Sequence, residues 1–159
     1  MLKSIKIINP NEYNFILGQS HFIKTVEDIH ELIVNTNPNA EFGIAFSEAS
    51  GPCLIRKSGN NKELIELACE NINNIYSGHS FIIFMKNAFP INFLPGLKNI
   101  PEIAGIYCAT ANPVEVIVYN GENGCGIMGI VDGFSPKGIE KDEDIIKRKE
   151  FLRNIGYKF

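Results

Sequence analysis

The run His79-Ser80-Phe81-Ile82-Ile83-Phe84-Met85 constrains the fold more than any other stretch of the chain. Five apolar residues follow one another with no alternating polar face. A strand written this way is buried on both sides. It predicts a central strand that needs cover above and below.

The rest of the chain supplies that cover. "LKSIKIIN" alternates and starts the chain as a strand. "TVEDIHELIVNT" reads as a helix, with Phe22, Val26, Ile29 and Ile33 as its apolar stripe and Thr25 with Asp28 resembling a capping box. "EFGIAFSEA" and "CLIRKSG" read as two strands of a hairpin around "SGP". "NKELIELACENINNIY" is a second helix that turns Leu64, Ala68, Ile72 and Ile75 inward. "FPINFLPGLKNIP" is punctuated by Pro90, Pro95 and Pro101 and reads as a loop with at most a short helical turn. "EIAGIYCATA", "VEVIVYN" and "GCGIMGIVDG" are further strands. The chain ends in the helix "KDEDIIKRKEFLRNIGYKF", acidic at its start, basic later, with Gly156 placed to stop it. Strands cluster instead of alternating with helices. The fold class is therefore α+β (mixed α/β): one domain over residues 1–159, with a largely antiparallel sheet packed with about three helices.

Composition narrows the function classes. The net charge is −3 and the lysines are scattered. A nucleic-acid partner rewards a basic patch, so none is expected. No apolar run approaches the roughly 18 residues of a spanning helix, so no membrane partner is expected either. The N-terminal "MLKSIKIINPNE" shows no signal-peptide core. Cys53, Cys69, Cys108 and Cys125 form no C-x-x-C pair, which argues against a zinc site and for reduced thiols in a cytoplasmic protein.

One motif invites a nucleotide reading. "GENGCGIMGIVDG" contains G-x-G-x-x-G at Gly124, Gly126 and Gly129. A dinucleotide fingerprint needs a helix after the glycines. Here Ile130 and Val131 continue as strand, and Gly133 and Pro136 forbid a long helix. A protein-kinase glycine loop lies between strands, but V-A-I-K, H-R-D and D-F-G are missing. No P-loop occurs. What remains is a glycine-rich hairpin, whose glycines either relieve crowding or let a flat ligand approach the backbone.

Candidate chemical residues gather at strand ends. His30 lies mid-helix and reads as structural. His21, with Ser20 and Lys24, precedes a helix start, a setting for either an anion or local capping. His79 stands at the mouth of the buried strand beside Gly78, where an imidazole can attack phosphorus or shuttle a proton, or simply hydrogen-bond at a strand end. Glu48, Lys86, Asn87, Asn112 and Asp132 also fall at strand ends and turns. Asp132 could orient a histidine, bind Mg²⁺, grip a ribose hydroxyl or cap the turn at Gly133.

The stretches "GQSHFIKTVEDIHE", "FGIAFSEASGPCLIRKSGN", "SGHSFII", "FPINFLPGLKNIPEI", "CATANPVEVIV", "GCGIMGIVDGFSPKGIE" and "FLRNIGYK" run in order over nearly the whole chain. Together they resemble the adenosine-specific kinase family of archaea and some bacteria. The resemblance implies binding of adenosine and AMP, a compact α+β fold and a small symmetric homo-oligomer, with a trimer favoured. It implies a phosphohistidine, with His79 of "SGHSF" as the first candidate carrier and His21 of "GQSHF" as runner-up. Ser20, His21, Lys24, Glu48, Lys86, Asn87, Asn112, Gly124, Gly126 and Asp132 are then the ligand-binding candidates. Family members commonly carry a basic residue where this chain has Cys125; if that base contacts phosphate, this chain binds AMP more weakly or uses Lys86 or Lys137 instead. Phosphoryl transfer usually recruits Mg²⁺, yet no acid pair here is diagnostic of it, and no resident metal or cofactor is assigned. Two functions stay open at this point: a phosphotransferase working through histidine, and a non-catalytic AMP or adenosine sensor.

Overall fold

The computed structural model describes residues 1–159. The apolar run forms β5 (Ser80–Lys86), whose residues from Ser80 to Met85 are all buried. It is the middle strand of a five-stranded antiparallel sheet of order β4-β3-β5-β2-β6. The other strands are β2 (Asn14–Ser20), β3 (Glu41–Ser47), β4 (Ile55–Gly59) and β6 (Ile103–Thr110). Three further strands, β1 (Leu2–Lys6), β7 (Val114–Asn120) and β8 (Cys125–Asp132), make a second antiparallel sheet of order β1-β7-β8. The α+β expectation holds.

Both faces of β5 are covered, as its sequence requires. On one face lie α1 (Thr25–Thr36) and α3 (Pro90–Leu97), where Ile29, Ile33, Phe93 and Leu97 meet Phe42, Ile44, Phe81 and Ile83. On the other lie α2 (Lys62–Ile75) and the small sheet, where Leu64, Ala68, Ile72, Val116 and Val118 meet Phe15, Leu17, Ile82 and Phe84. Asn61 caps α2 by accepting the Leu64 N–H at 3.1 Å, and Tyr76 ends it in the left-handed conformation. α2 rests directly on β3 at Gly43, where a Cβ would lie 2.2 Å from Leu64 C and Ile65 N.

Several local expectations are corrected. "NFILGQS", to which the sequence pattern assigned no element, is a strand, β2, beside the centre of the large sheet. "FPINFLPGLKNIP" is not mainly loop: Pro90 opens the eight-residue α3, and Pro95 lies within it. Proline suits the first helical turn because the missing N–H has no partner there anyway. Thr25 and Asp28 make no capping box. Lys24 holds the cap position without a side-chain cap, and the Thr25 hydroxyl donates back to the Phe22 carbonyl. Phe22 is exposed and does not join the apolar stripe of α1. The last helix, α4 (Asp142–Asn154), buries none of its residues.

Candidate active site

Antiparallel pairing sorts the candidates into two ends of the large sheet. Gln19 pairs with Ser80 and Ser20 with Ile103, so Ser20, His21 and His79 share one end. Asn14 pairs with Met85 and Phe15 with Thr110, so Lys86, Asn87 and Asn112 share the other. The seven residue-to-residue steps from His79 to Lys86 span about 23 Å at about 3.3 Å each.

The His79 end holds five of the six buried polar residues: Ser20, Thr25, Ser77, Ser80 and Glu102. Buried polar groups are informative because interiors normally exclude them unless they are hydrogen-bonded or functional. His79 itself has φ +62°, a conformation that costs a side-chain-bearing residue roughly 1–2 kcal/mol. Both adjoining chains clamp it there. Its N–H donates to the Ser47 carbonyl at 2.7 Å, and its carbonyl accepts from Ser20 N–H at 2.9 Å. Strain held in place by surrounding structure is a mark of functional positions. The result is a pair of imidazoles: the His21 and His79 rings stand edge to face with centroids 5.5 Å apart. The Phe46 ring stacks against His79 at 6.1 Å. His30 is held elsewhere, with Nδ1 2.7 Å from the Ser58 hydroxyl and its ring against Phe42.

Charged groups lie on the segments that flank the pair. Lys24 Nζ lies 3.0 Å from Asp28 and 3.5 Å from Glu102. Glu102 presents its backbone carbonyl to the His21 N–H at 2.9 Å, while its side chain is only 4 % exposed and neither carboxyl oxygen has a hydrogen-bond partner. Burial first, and the adjacent Asp28 second, push the Glu102 carboxyl above its ordinary value. Asp28 moves the other way, held low by Glu102 and then by Lys24. Of the two, Glu102 is therefore the carboxyl that takes up a proton more readily. A raised folded value stabilises the protein fully below the unfolded value, and that stability is lost as pH rises through the folded one. Glu102→Gln keeps the shape and removes the ionisation. The variant is expected to gain about 1 kcal/mol at neutral pH and to lose much of the decline in stability above pH 4.5, the ordinary carboxylate value. Thermal melts of both proteins across that range check it; equal slopes would refute the assignment.

Glu48 is engaged rather than free. It takes Arg56 bidentately, from Nε at 3.0 Å and Nη2 at 3.2 Å, and also accepts the Leu54 N–H at 3.0 Å. Arg56 first, then Leu54, hold its carboxyl below the usual range. A sequence-based reading missed Arg56, Glu102 and Asp28. Arg56 was legible in principle, since Phe46 pairs with Arg56 across the "FSEASGPCLIR" hairpin. Glu102 carried no local signal.

The glycine hairpin joins the same end through its tip. Cys125 bridges to Ser77, and Gly124 and Cys125 line a cavity of about 560 Å³ together with Glu48, Asn73, Tyr76 and Gly78. A Cβ at Gly124, Gly126 or Gly129 would meet nothing within 4 Å. These glycines are not demanded by packing within the chain. Gly126→Ala is therefore expected to change stability by no more than about 0.5 kcal/mol, read from a denaturant midpoint.

The remaining candidates lie away from the histidines. Lys86 is paired with Glu63 at 2.8 Å and stands over Tyr13. The Asn87 amide donates to Glu41 at 3.1 Å. The Asn112 amide donates to Asp132 at 3.4 Å, and Asp132 stands by that turn rather than beside a histidine. Lys137 is exposed in the segment before α4. Cys125 is half-buried, its thiol pushed up by burial. No group of three or more His, Cys, Asp or Glu side chains is arranged to hold a metal ion, and no helix is long and apolar enough to cross a membrane.

The fold and this end of the sheet define an α+β protein with two facing histidines on a sheet end that also carries the Lys24 and Arg56 ion pairs. The chain belongs to the adenosine-specific kinase family, whose sequence model matches residues 5–158. It is similar to the PH1918 protein of Pyrococcus horikoshii OT3, known as a crystal structure: 43% of residues are identical, the TM-score is 0.95, and the match covers 100% of this chain and 98% of that one. No curated protein matches the sequence.

Proposed function

We propose that this protein binds adenosine and AMP at the His79 end of the large sheet and transfers a phosphoryl group through His79, with His21 as its partner. The observation that carries the reading is the edge-to-face imidazole pair built on a strained, clamped His79. In the first step a donor P–O bond breaks, a P–N bond forms to the imidazole and the ring proton leaves. In the second, the P–N bond breaks, the nucleoside hydroxyl oxygen takes the phosphoryl group and its proton departs. Where Mg²⁺ accompanies the phosphates it needs only one or two protein carboxylates.

The nucleoside has a candidate place at the same end of the sheet, in a cavity that neither imidazole lines but that Gly78, the neighbour of His79, does. The cavity of about 560 Å³ is the size of a small-molecule site. Tyr76 is exposed there and offers a stacking face. Asn73 lines it as well, and an amide side chain can pair with the N6/N7 edge of adenine. Gly124 brings the hairpin backbone to the wall of this cavity, which Gly126 does not line, so Gly124→Val should weaken AMP binding in a folded protein.

The chain is also proposed to act as one domain and as a homo-oligomer, with α4 as the contact. α4 buries nothing on its own chain. With Phe89 and Ile91 it borders an open apolar cavity of about 860 Å³. A second copy of the same surface covers both.

Calorimetric titration with adenosine, AMP, ADP and ATP tests the binding. Selective uptake of adenosine or AMP is expected, with affinity reduced about tenfold in Tyr76→Ala. Labelling from a phosphate donor should give a base-stable, acid-labile phosphate that is absent in His79→Ala. Binding without such labelling in the wild type would replace the transferase reading with that of a sensor.

A further inference from the structure

A second cavity, of about 510 Å³, adjoins the one assigned to the nucleoside. The two meet at Tyr76, Asn123, Gly124 and Cys125, which line both. The small sheet supplies its other wall, through Lys3 of β1 and Val118 and Asn120 of β7. Register shows where the Lys3 side chain goes. Lys3 stands directly opposite Val118, and residues paired in this way share a face of the sheet. Val118 is buried in the core. Lys3 therefore leaves β1 on the inward face, at the end where α2 stops at Ile75. Its charge reaches the cavity wall: burial pushes the Cys125 thiol up, and the Lys3 ammonium pulls it part of the way back.

This ammonium is free. Lys24, Arg56 and Lys86 are each held by a carboxylate, whereas Lys3 enters no ion pair. The donors around it are free as well. The side-chain amides of Asn74, Asn120 and Asn123 line the cavity and hydrogen-bond to nothing in the chain. The hairpin turn closes through Gly121 N–H donating to the Gly124 carbonyl at 2.8 Å, and the N–H groups of Glu122, Asn123 and Gly124 find no acceptor in the chain. Two features oppose an anion: Glu122 is the one carboxylate in the lining, and α2 ends here with the negative end of its dipole. Glu122 is exposed at the hairpin tip and unpaired with Lys3, and the Ile75 carbonyl already accepts from the Cys125 thiol at 3.7 Å. A charge-assisted bond from an ammonium outweighs such solvent-screened ends. We propose that this cavity binds a phosphate dianion, with the Lys3 ammonium as its counter-charge and the three amides as donors. The phosphate is either free or the 5′-phosphate of a nucleotide whose nucleoside lies across Tyr76; only the second source rests on the nucleoside reading above. Gly78, the neighbour of His79, lines the adjoining cavity and not this one, so a phosphate on Lys3 is not the group in transit at the imidazole.

The probe is inorganic phosphate, titrated above neutral pH into the isotope-labelled full chain and followed by amide NMR. Saturable shifts are expected at Lys3, Asn74 and residues 120–125, and binding should weaken as salt rises. Lys3→Gln should lower the affinity about tenfold, and Glu122→Gln should raise it. Lys3 is exposed on an edge strand, and an unchanged thermal midpoint shows that the variant is folded. Titrations with AMP and adenosine separate the sources. AMP losing about tenfold in Lys3→Gln, with adenosine unchanged and phosphate competing with AMP, marks a nucleotide phosphate. AMP unaffected by Lys3→Gln, and bound together with phosphate, marks free phosphate. Shifts that do not saturate, shifts reproduced by chloride at equal ionic strength, or full phosphate affinity in Lys3→Gln overturn the proposal. If adenosine fails to bind while phosphate binds through Lys3, the nucleoside reading falls and the phosphate site stands.

Discussion

Gly43→Ala is expected to destabilise the protein by about 3 kcal/mol and to lower its thermal midpoint by roughly 10 °C. One methyl group has this effect because of what lies above it. Gly43 pairs with Phe84 of the central strand on one side and with Gly59 on the other. Its missing side chain is where α2 sits: a Cβ would come within 2.2 Å of Leu64 C and Ile65 N, and 2.4 Å of Leu64 O. These are backbone atoms at the start of a helix and cannot rotate away. α2 must lift, and Leu64, Ala68, Ile72 and Ile75, which it buries against the sheet, lift with it. Close-packed interiors resist such shifts. The open Gly126 gives the internal control. A Gly43→Ala protein within about 3 °C of wild type would show that α2 rides more loosely on β3 than this geometry allows.

The homo-oligomer proposed above predicts that the full chain self-associates and that removal of residues 140–159 leaves a monomer whose core stays folded. A 13-residue helix is marginal in water by itself and gains its stability from a packed face. α4 has no such face on its own chain. Ile146, Phe151, Ile155, Tyr157 and Phe159 are exposed, as are Phe89 and Ile91 nearby. Burying side chains of this kind contributes about 1.5–3 kcal/mol each. Several of them together exceed the lower estimates of the cost of association, about 4 kcal/mol. Sedimentation velocity on both chains measures the effect. A full-length chain that sediments as a monomer, or a truncated one that keeps the oligomer's mass, would remove α4 from the interface.

Much of the fold was legible because burial on one or two faces leaves a periodic trace. β5 was readable from five consecutive apolar residues, and α2 from Leu64, Ala68, Ile72 and Ile75, all four of which are buried. β2 escaped because its last residues, Gly18-Gln19-Ser20, look like a loop until neighbouring strands pair with them. α3 escaped because three prolines read as punctuation, although the first of them occupies the one helical position where proline fits. The candidate site was legible only in part. His21, His79 and Lys24 stand out in the sequence by residue type. Glu102 does not, because a glutamate after a proline gives no sign of being buried.

The sequence by itself determined the α+β class, the central strand and both main helices, because each depends on local periodicity. It also carried the family resemblance. Only the tertiary structure decided which candidates meet. His21 and His79 are 58 positions apart and come together because β2 and β5 run antiparallel with Gln19 opposite Ser80. The same register sends Lys86, Asn87, Asn112 and Asp132 to the far end. Register is a property of paired strands, and no single strand's sequence contains it.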